Sequence, residues 1–102
     1  MNLNIALVAE TFPDNAPDLT AALHNAKANG AALALLPECP AQPWVAATTQ
    51  RCQQDAEPSG GPRESRQSNA SRTAEIALLG GSIEQLEQGG RRNTAVLWDH
   101  HG

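Results

Sequence analysis

Tyrosine is absent from this 102-residue chain, phenylalanine occurs once and tryptophan twice. Aromatic rings bury more area than any aliphatic side chain, so a core here has to be assembled from Ala, Leu, Ile and Val. A chain of this length suits one small domain or a piece of a larger one, and it buries roughly 60–68% of its unfolded surface, which makes that core thin. No apolar run approaches the roughly 20 residues that span a bilayer, so no membrane partner is expected. No secretory leader is expected from the opening, which has no basic stretch and whose short apolar run, residues 3–9, is followed at once by Glu10 and Asp14. Positive charge is scarce. The net charge is −4, Lys27 is the one lysine, and the arginines gather only between Arg63 and Arg72 and at Arg91-Arg92. A nucleic-acid surface needs a basic patch that neutralises several phosphates, so nucleic acid is not an expected partner. Two cysteines, Cys39 and Cys52, in a chain where no leader is expected point to a reduced, cytoplasmic protein.

What is present is organised around residues 31–40, Ala-Ala-Leu-Ala-Leu-Leu-Pro-Glu-Cys-Pro. An unbroken apolar run between Gly30 and Pro37 reads as a strand buried on both faces. Glu38 stands just past its carboxyl end, where ligands of open α/β sheets collect, and is the candidate site residue. Residues 3–9 read as an earlier strand of the same kind. Between the two, Leu19, Ala22, Leu23 and Ala26 recur at helical spacing and form one apolar stripe. That helix is expected to begin near Pro17 with Asp14 or Asn15 as its cap, and to end at Gly30 in the left-handed conformation. Strand, helix and strand with short links form a βαβ unit over residues 1–40, with parallel strands.

From residue 41 to about residue 75 the composition turns to Gln, Ser, Arg, Thr, Pro and Gly. Residues 43–54 suit a short helix, 57–62 a loop, and 63–73 are polar on every side except at Ala70, which leaves a helix there without a face to dock. This segment is expected to be disordered or weakly helical. Order returns with residues 76–84, a third strand, and residues 93–99, a fourth, joined as neighbours through a hairpin loop at Gln88-Gly89-Gly90. The fold class is α/β, with about four strands and one or two helices.

These blocks in this order resemble the nitrilase, or carbon–nitrogen hydrolase, superfamily. The residues that carry the resemblance are the opening Asn4-Ile5-Ala6-Leu7-Val8, the helix ending in Asn29-Gly30-Ala31, the strand ending in Leu35-Leu36-Pro37-Glu38, and the later runs Leu78-Leu79-Gly80-Gly81-Ser82-Ile83 and Asn93-Thr94-Ala95-Val96-Leu97-Trp98-Asp99. The resemblance implies the N-terminal portion of an α-β-β-α sandwich and the hydrolysis of amides, nitriles or carbamoyl amines by a Glu-Lys-Cys triad. It carries over one member of the triad, Glu38 as general base. The implied lysine and cysteine would follow residue 102, so the chain by itself is expected to be inactive, with a small amide or nitrile as substrate of the complete unit and no cofactor. It also allows a homo-oligomer, since half a sandwich exposes an apolar sheet. Against it stand two rivals: a non-catalytic α/β binding or interaction module, and a degenerate reading frame.

Other residues carry blander readings. Cys39 adjoins Glu38, but neighbours on an extended chain point to opposite sides, so it reads as a small buried side chain and not as the nucleophile. Asp99, His100 and His101 are adjacent at a turn with no third metal ligand in evidence, and no metal is expected. Lys27 and His24 fall on the polar side of the first helix. Gly80-Gly81-Ser82 lacks the Lys-Ser/Thr of a phosphate loop and reads as strand.

Overall fold

The computed structural model describes residues 2–10, 12, 18–37, 40 and 56–101. The βαβ unit is present: β1 (Ile5–Leu7), α1 (Leu19–Ala28) and β2 (Leu33–Leu35), with β1 and β2 parallel in the register Ile5 to Leu33 and Leu7 to Leu35. The stripe on α1 does what its spacing implies. Leu19 and Leu23 are buried in the core, and Ala22 and Ala26 pack against it. Gly30 is left-handed, and the Gly30 and Ala31 N–H groups donate to the Lys27 and Ala26 carbonyls, which closes the helix and turns the chain into β2. At its start Asp18 holds the cap position without a side-chain bond, and the helix begins at Leu19, two residues later than the expected Pro17. Pro17, Asp14 and Asn15 lie outside the described residues.

A two-residue strand, β3 (Ala56–Glu57), precedes α2 (Pro62–Ala74), and β4 (Ala77–Gln85) and β5 (Arg91–Trp98) form the expected antiparallel hairpin. The five-stranded mixed sheet centres on β4, which pairs parallel with β2 and β3 and antiparallel with β5. A fifth strand thus joins the four read from sequence.

The helix α2 forms although it lacks an apolar stripe. Its inward face is Gln67, Ala70, Ser71 and Ala74, all buried. Small side chains let the helix axis come close to the sheet, and each polar one finds a partner. The Ser71 hydroxyl lies 2.6 Å from the Ile76 carbonyl and 2.9 Å from that of Asp99. Pro62 occupies the first turn, where a missing N–H costs nothing, and the Glu57 carboxylate accepts the Arg63 N–H at 2.9 Å, so that negative charge meets the positive end of the helix dipole. At the other end Glu75 takes the left-handed conformation (φ 55°) usually left to glycine, and the Lys27 ammonium donates to its carbonyl at 2.7 Å, tying α1 to α2.

Both helices lie on one face of the sheet. Residues in register alternate sides, so Ala34 and Leu78 point to the helices and are 0% exposed, with Trp98 packed beside them. The opposite face carries Ile5, Leu7, Leu33, Leu35, Leu79 and Leu97. Among the described residues nothing covers it: Leu7 is 78% exposed and Leu97 65%. The expectation that the first two strands are buried on both faces is therefore corrected. Both faces are apolar, which is what the unbroken run records, but only one is packed.

Candidate functional site

The carboxyl edge of the parallel strands is built by a change of partner along β4. β2 pairs with Ala77–Leu79 and its last bond is the Leu36 N–H to the Leu79 carbonyl at 2.9 Å. Pro37 follows, and without an N–H it cannot extend the ladder. β3 takes up pairing further along, at Ile83 and Glu84. Between the two lies Gly80-Gly81-Ser82, and beside it a hollow of about 330 Å³ lined by Leu36, Pro37, Pro40, Leu79, Gly80, Gly81, Asn93, Thr94 and Ala95.

Glu38 itself, with Cys39, lies outside the described residues, as does Cys52. Its neighbours are fixed on both sides: Leu36 is bonded to Leu79, and the Pro40 carbonyl accepts the Phe12 N–H, with Pro40 and Phe12 both buried. The described residues on either side, Leu36 and Pro37 before and Pro40 after, are thus tied to β4 and to Phe12, and all three line the hollow.

The glycines of that wall leave no room for a side chain. A Cβ on Gly80 would collide with Gln67 Oε1, and one on Gly81 with the Thr94 carbonyl oxygen. Behind them runs a buried polar layer that sequence reading passed over. The Gln67 carboxamide donates to the Gly81 carbonyl and accepts the Gly81 N–H, both at 2.9 Å. Ser82 donates to Glu64 at 3.2 Å, and Glu64 in turn accepts the Gly60 N–H at 2.8 Å. Further along β4, Glu84 accepts bonds from Arg92 at 2.8 Å and Thr94 at 3.2 Å, and the guanidinium holds its carboxyl below the usual carboxylate range. The sequence signal for this layer was the polar run 63–73, whose register against β4 only the folded chain reveals.

The other singled-out residues gather elsewhere. Lys27, Arg72, His100 and His101 rim a larger hollow, about 660 Å³, with Ala31, Ala32 and Ala77 at the amino edge of the parallel strands. Lys27 is therefore at the opposite end of the sheet from Pro37, and its ammonium is engaged with Glu75. The His100 and His101 rings lie with centroids 3.9 Å apart, tilted 47° to one another. Among the described residues no three His, Cys, Asp or Glu converge as a metal site, and no helix is long and apolar enough to cross a membrane.

No family model and no curated protein matches the sequence. Solved structures do. An amidase from Nesterenkonia sp. superposes with a TM-score of 0.72 at 26% identity, covering 97% of this chain and 39% of that one. A mutant of the Nesterenkonia AN1 amidase, described as of the nitrilase superfamily, gives 0.73 at 25% identity over the same shares. A double mutant of this amidase is known in complex with acrylamide. An N-terminal amidase gives 0.61 at 10% identity, covering 96% of this chain and 25% of that one, which is a likeness of fold alone. The chain spans about two fifths of the length of the Nesterenkonia amidase. Its mixed α/β fold, with five strands and two helices among the described residues, is that of nitrilase-superfamily amidases, and its extent is consistent with an N-terminal part of one.

Proposed function

We propose that this chain is the base-bearing N-terminal part of a carbon–nitrogen hydrolase acting on small amides or nitriles, with Glu38 as the general base. The observation that supports it is the break in pairing along β4: the strand before Glu38 leaves the sheet at Pro37, beside a hollow, in a fold shared with amidases. In such chemistry a carboxylate removes the proton from a thiol, the thiolate attacks the C–N carbon, and the same carboxyl group returns the proton to the departing amine. An ammonium stabilises the charge that builds on the substrate during attack. Water then releases the acyl group from the thioester.

Of the three groups this chain supplies the carboxylate. Lys27 stands at the wrong edge for the ammonium, and the thiol is assigned to chain outside these 102 residues. The chain alone is therefore inactive. The open apolar face is where the remaining layer of the sandwich would rest, bringing the lysine and cysteine with it.

The test is to measure ammonia release from acetamide and acrylamide by this chain and by a version extended through the downstream coding sequence. The reading expects none from the first and turnover from the second, reduced about 10²–10⁴-fold by Glu38→Gln. Turnover by the 102-residue chain, or an extension lacking a further Lys and Cys, overturns it. Binding of acrylamide without turnover by the extended chain would favour the binding-module reading.

A further inference from the structure

We infer that Gln67 is a positioning residue of this site: where, among the described residues, no strand pairs with Gly81 on the side of β4 away from β5, its carboxamide takes the strand's place and so holds the glycine wall of the hollow. The inference rests on the hydrolase reading for its functional meaning, but its geometry stands without it. β4 is flanked by β5 along one side; on the other, β2 reaches only to Leu79 and β3 begins only at Ile83. Gly81 sits in that interval with its N–H and C=O unclaimed by either strand. A buried peptide group left in this condition costs as much as a lost hydrogen bond, and the usual remedy is a neighbouring strand.

Gln67 supplies the equivalent from a helix. Its Oε1 accepts the Gly81 N–H and its Nε2 donates to the Gly81 carbonyl, one acceptor and one donor set side by side as a strand would set them. The second amide hydrogen goes to the Arg63 carbonyl at 3.1 Å, so every polar atom of the side chain is used at 1% exposure. The absence of a Cβ on Gly80 is what admits the carboxamide.

The consequence is local and specific. With the Gly81 peptide group satisfied by Gln67, the β2 pairing ends at the Leu36 N–H to Leu79 carbonyl bond, and Leu36 and Pro37 line the hollow beside the glycine wall. An apolar residue at position 67 would fill the same volume and leave Gly81 bare, inviting water or the chain after Leu36 into the interval.

The experiment uses the 102-residue chain and two variants, Gln67→Leu and Gln67→Glu, read by amide hydrogen exchange at Gly81 and by urea unfolding between pH 4 and pH 7. In Gln67→Leu the Gly81 amide should exchange at least about tenfold faster relative to Leu78 than in the parent chain. In Gln67→Glu the neutral carboxyl can donate to the Gly81 carbonyl and the ionised one cannot, so its pKa in the folded chain rises above its unfolded value. The stability it confers is complete below the unfolded value and lost as pH rises through the folded one. Relative to the parent, its folding constant should fall at least tenfold between pH 4 and pH 7, one decade for each unit by which the folded pKa exceeds the unfolded one.

Unchanged relative exchange at Gly81 in the Leu variant overturns the inference, and so does a Glu variant that tracks the parent across this pH range. Should the Leu variant not fold, the pH response of the Glu variant decides alone. None of these readouts depends on ammonia release, so failure here and failure of the hydrolase reading are separately visible.

Discussion

Glu84 and Arg92 face each other in register across β4 and β5, and their bond is the residue-scale interaction with the plainest pH signature. Arg92 and Thr94 lower the Glu84 pKa from its ordinary value near 4.5. A carboxyl group lowered on folding adds stability that is complete above the unfolded value and is lost as the pH falls through the folded one. The urea midpoint of the parent chain should therefore drop on going from pH 5 to pH 3, and Glu84→Gln should remove part of that drop while changing little under acid conditions. A variant whose midpoint follows the parent at every pH would show the pair to be inert. The strand that ends before Pro37 was legible at this scale because Gly30 and Pro37 frame an unbroken apolar run, a local signal. The Glu84–Arg92 pair and Gln67 were not, since each acquires its partner only when strand register or helix placement is fixed.

At the scale of elements, α1 and α2 illustrate two ways a helix meets a sheet. The 3.6-residue recurrence of Leu19, Ala22, Leu23 and Ala26 announces the first. The second docks through Ala70, Ser71 and Ala74, and periodicity analysis, which looks for large apolar side chains, finds nothing in it. Close approach leaves no spare volume, and Ala70→Leu should cost about 1–3 kcal/mol by overpacking against the sheet, measurable by urea denaturation with an unchanged slope. A surface-docked helix of little consequence would absorb the change without loss. The strands were legible because the four runs of Leu, Ile, Val and Ala are bounded by Gly, Pro and Asp. The two-residue β3 was not, since nothing within Ala56-Glu57 sets it apart before β4 offers an edge.

The molecule as a whole is a sheet with helices on one side and an apolar surface on the other. Within β1, β2 and β4 the residues facing that open side carry no charge, so a second copy can meet it without burying an unpaired ion. The isolated chain should associate through it. Sedimentation of the parent should give a mass above that of one chain, and the double variant Leu7→Lys, Leu97→Lys should return it to the monomer, since both side chains lie on that face and are largely exposed. Association that persists in the variant would move the interface elsewhere. The central place of β4 bears on how such a chain comes into being on the ribosome. Leu35 of β2 is made about forty residues before Leu79, its partner, so at 5–20 residues per second the inner edge of the nascent βαβ unit stays unpaired for roughly 2–9 s. During that wait the newborn segment is a sticky template whose proper partner has yet to be made.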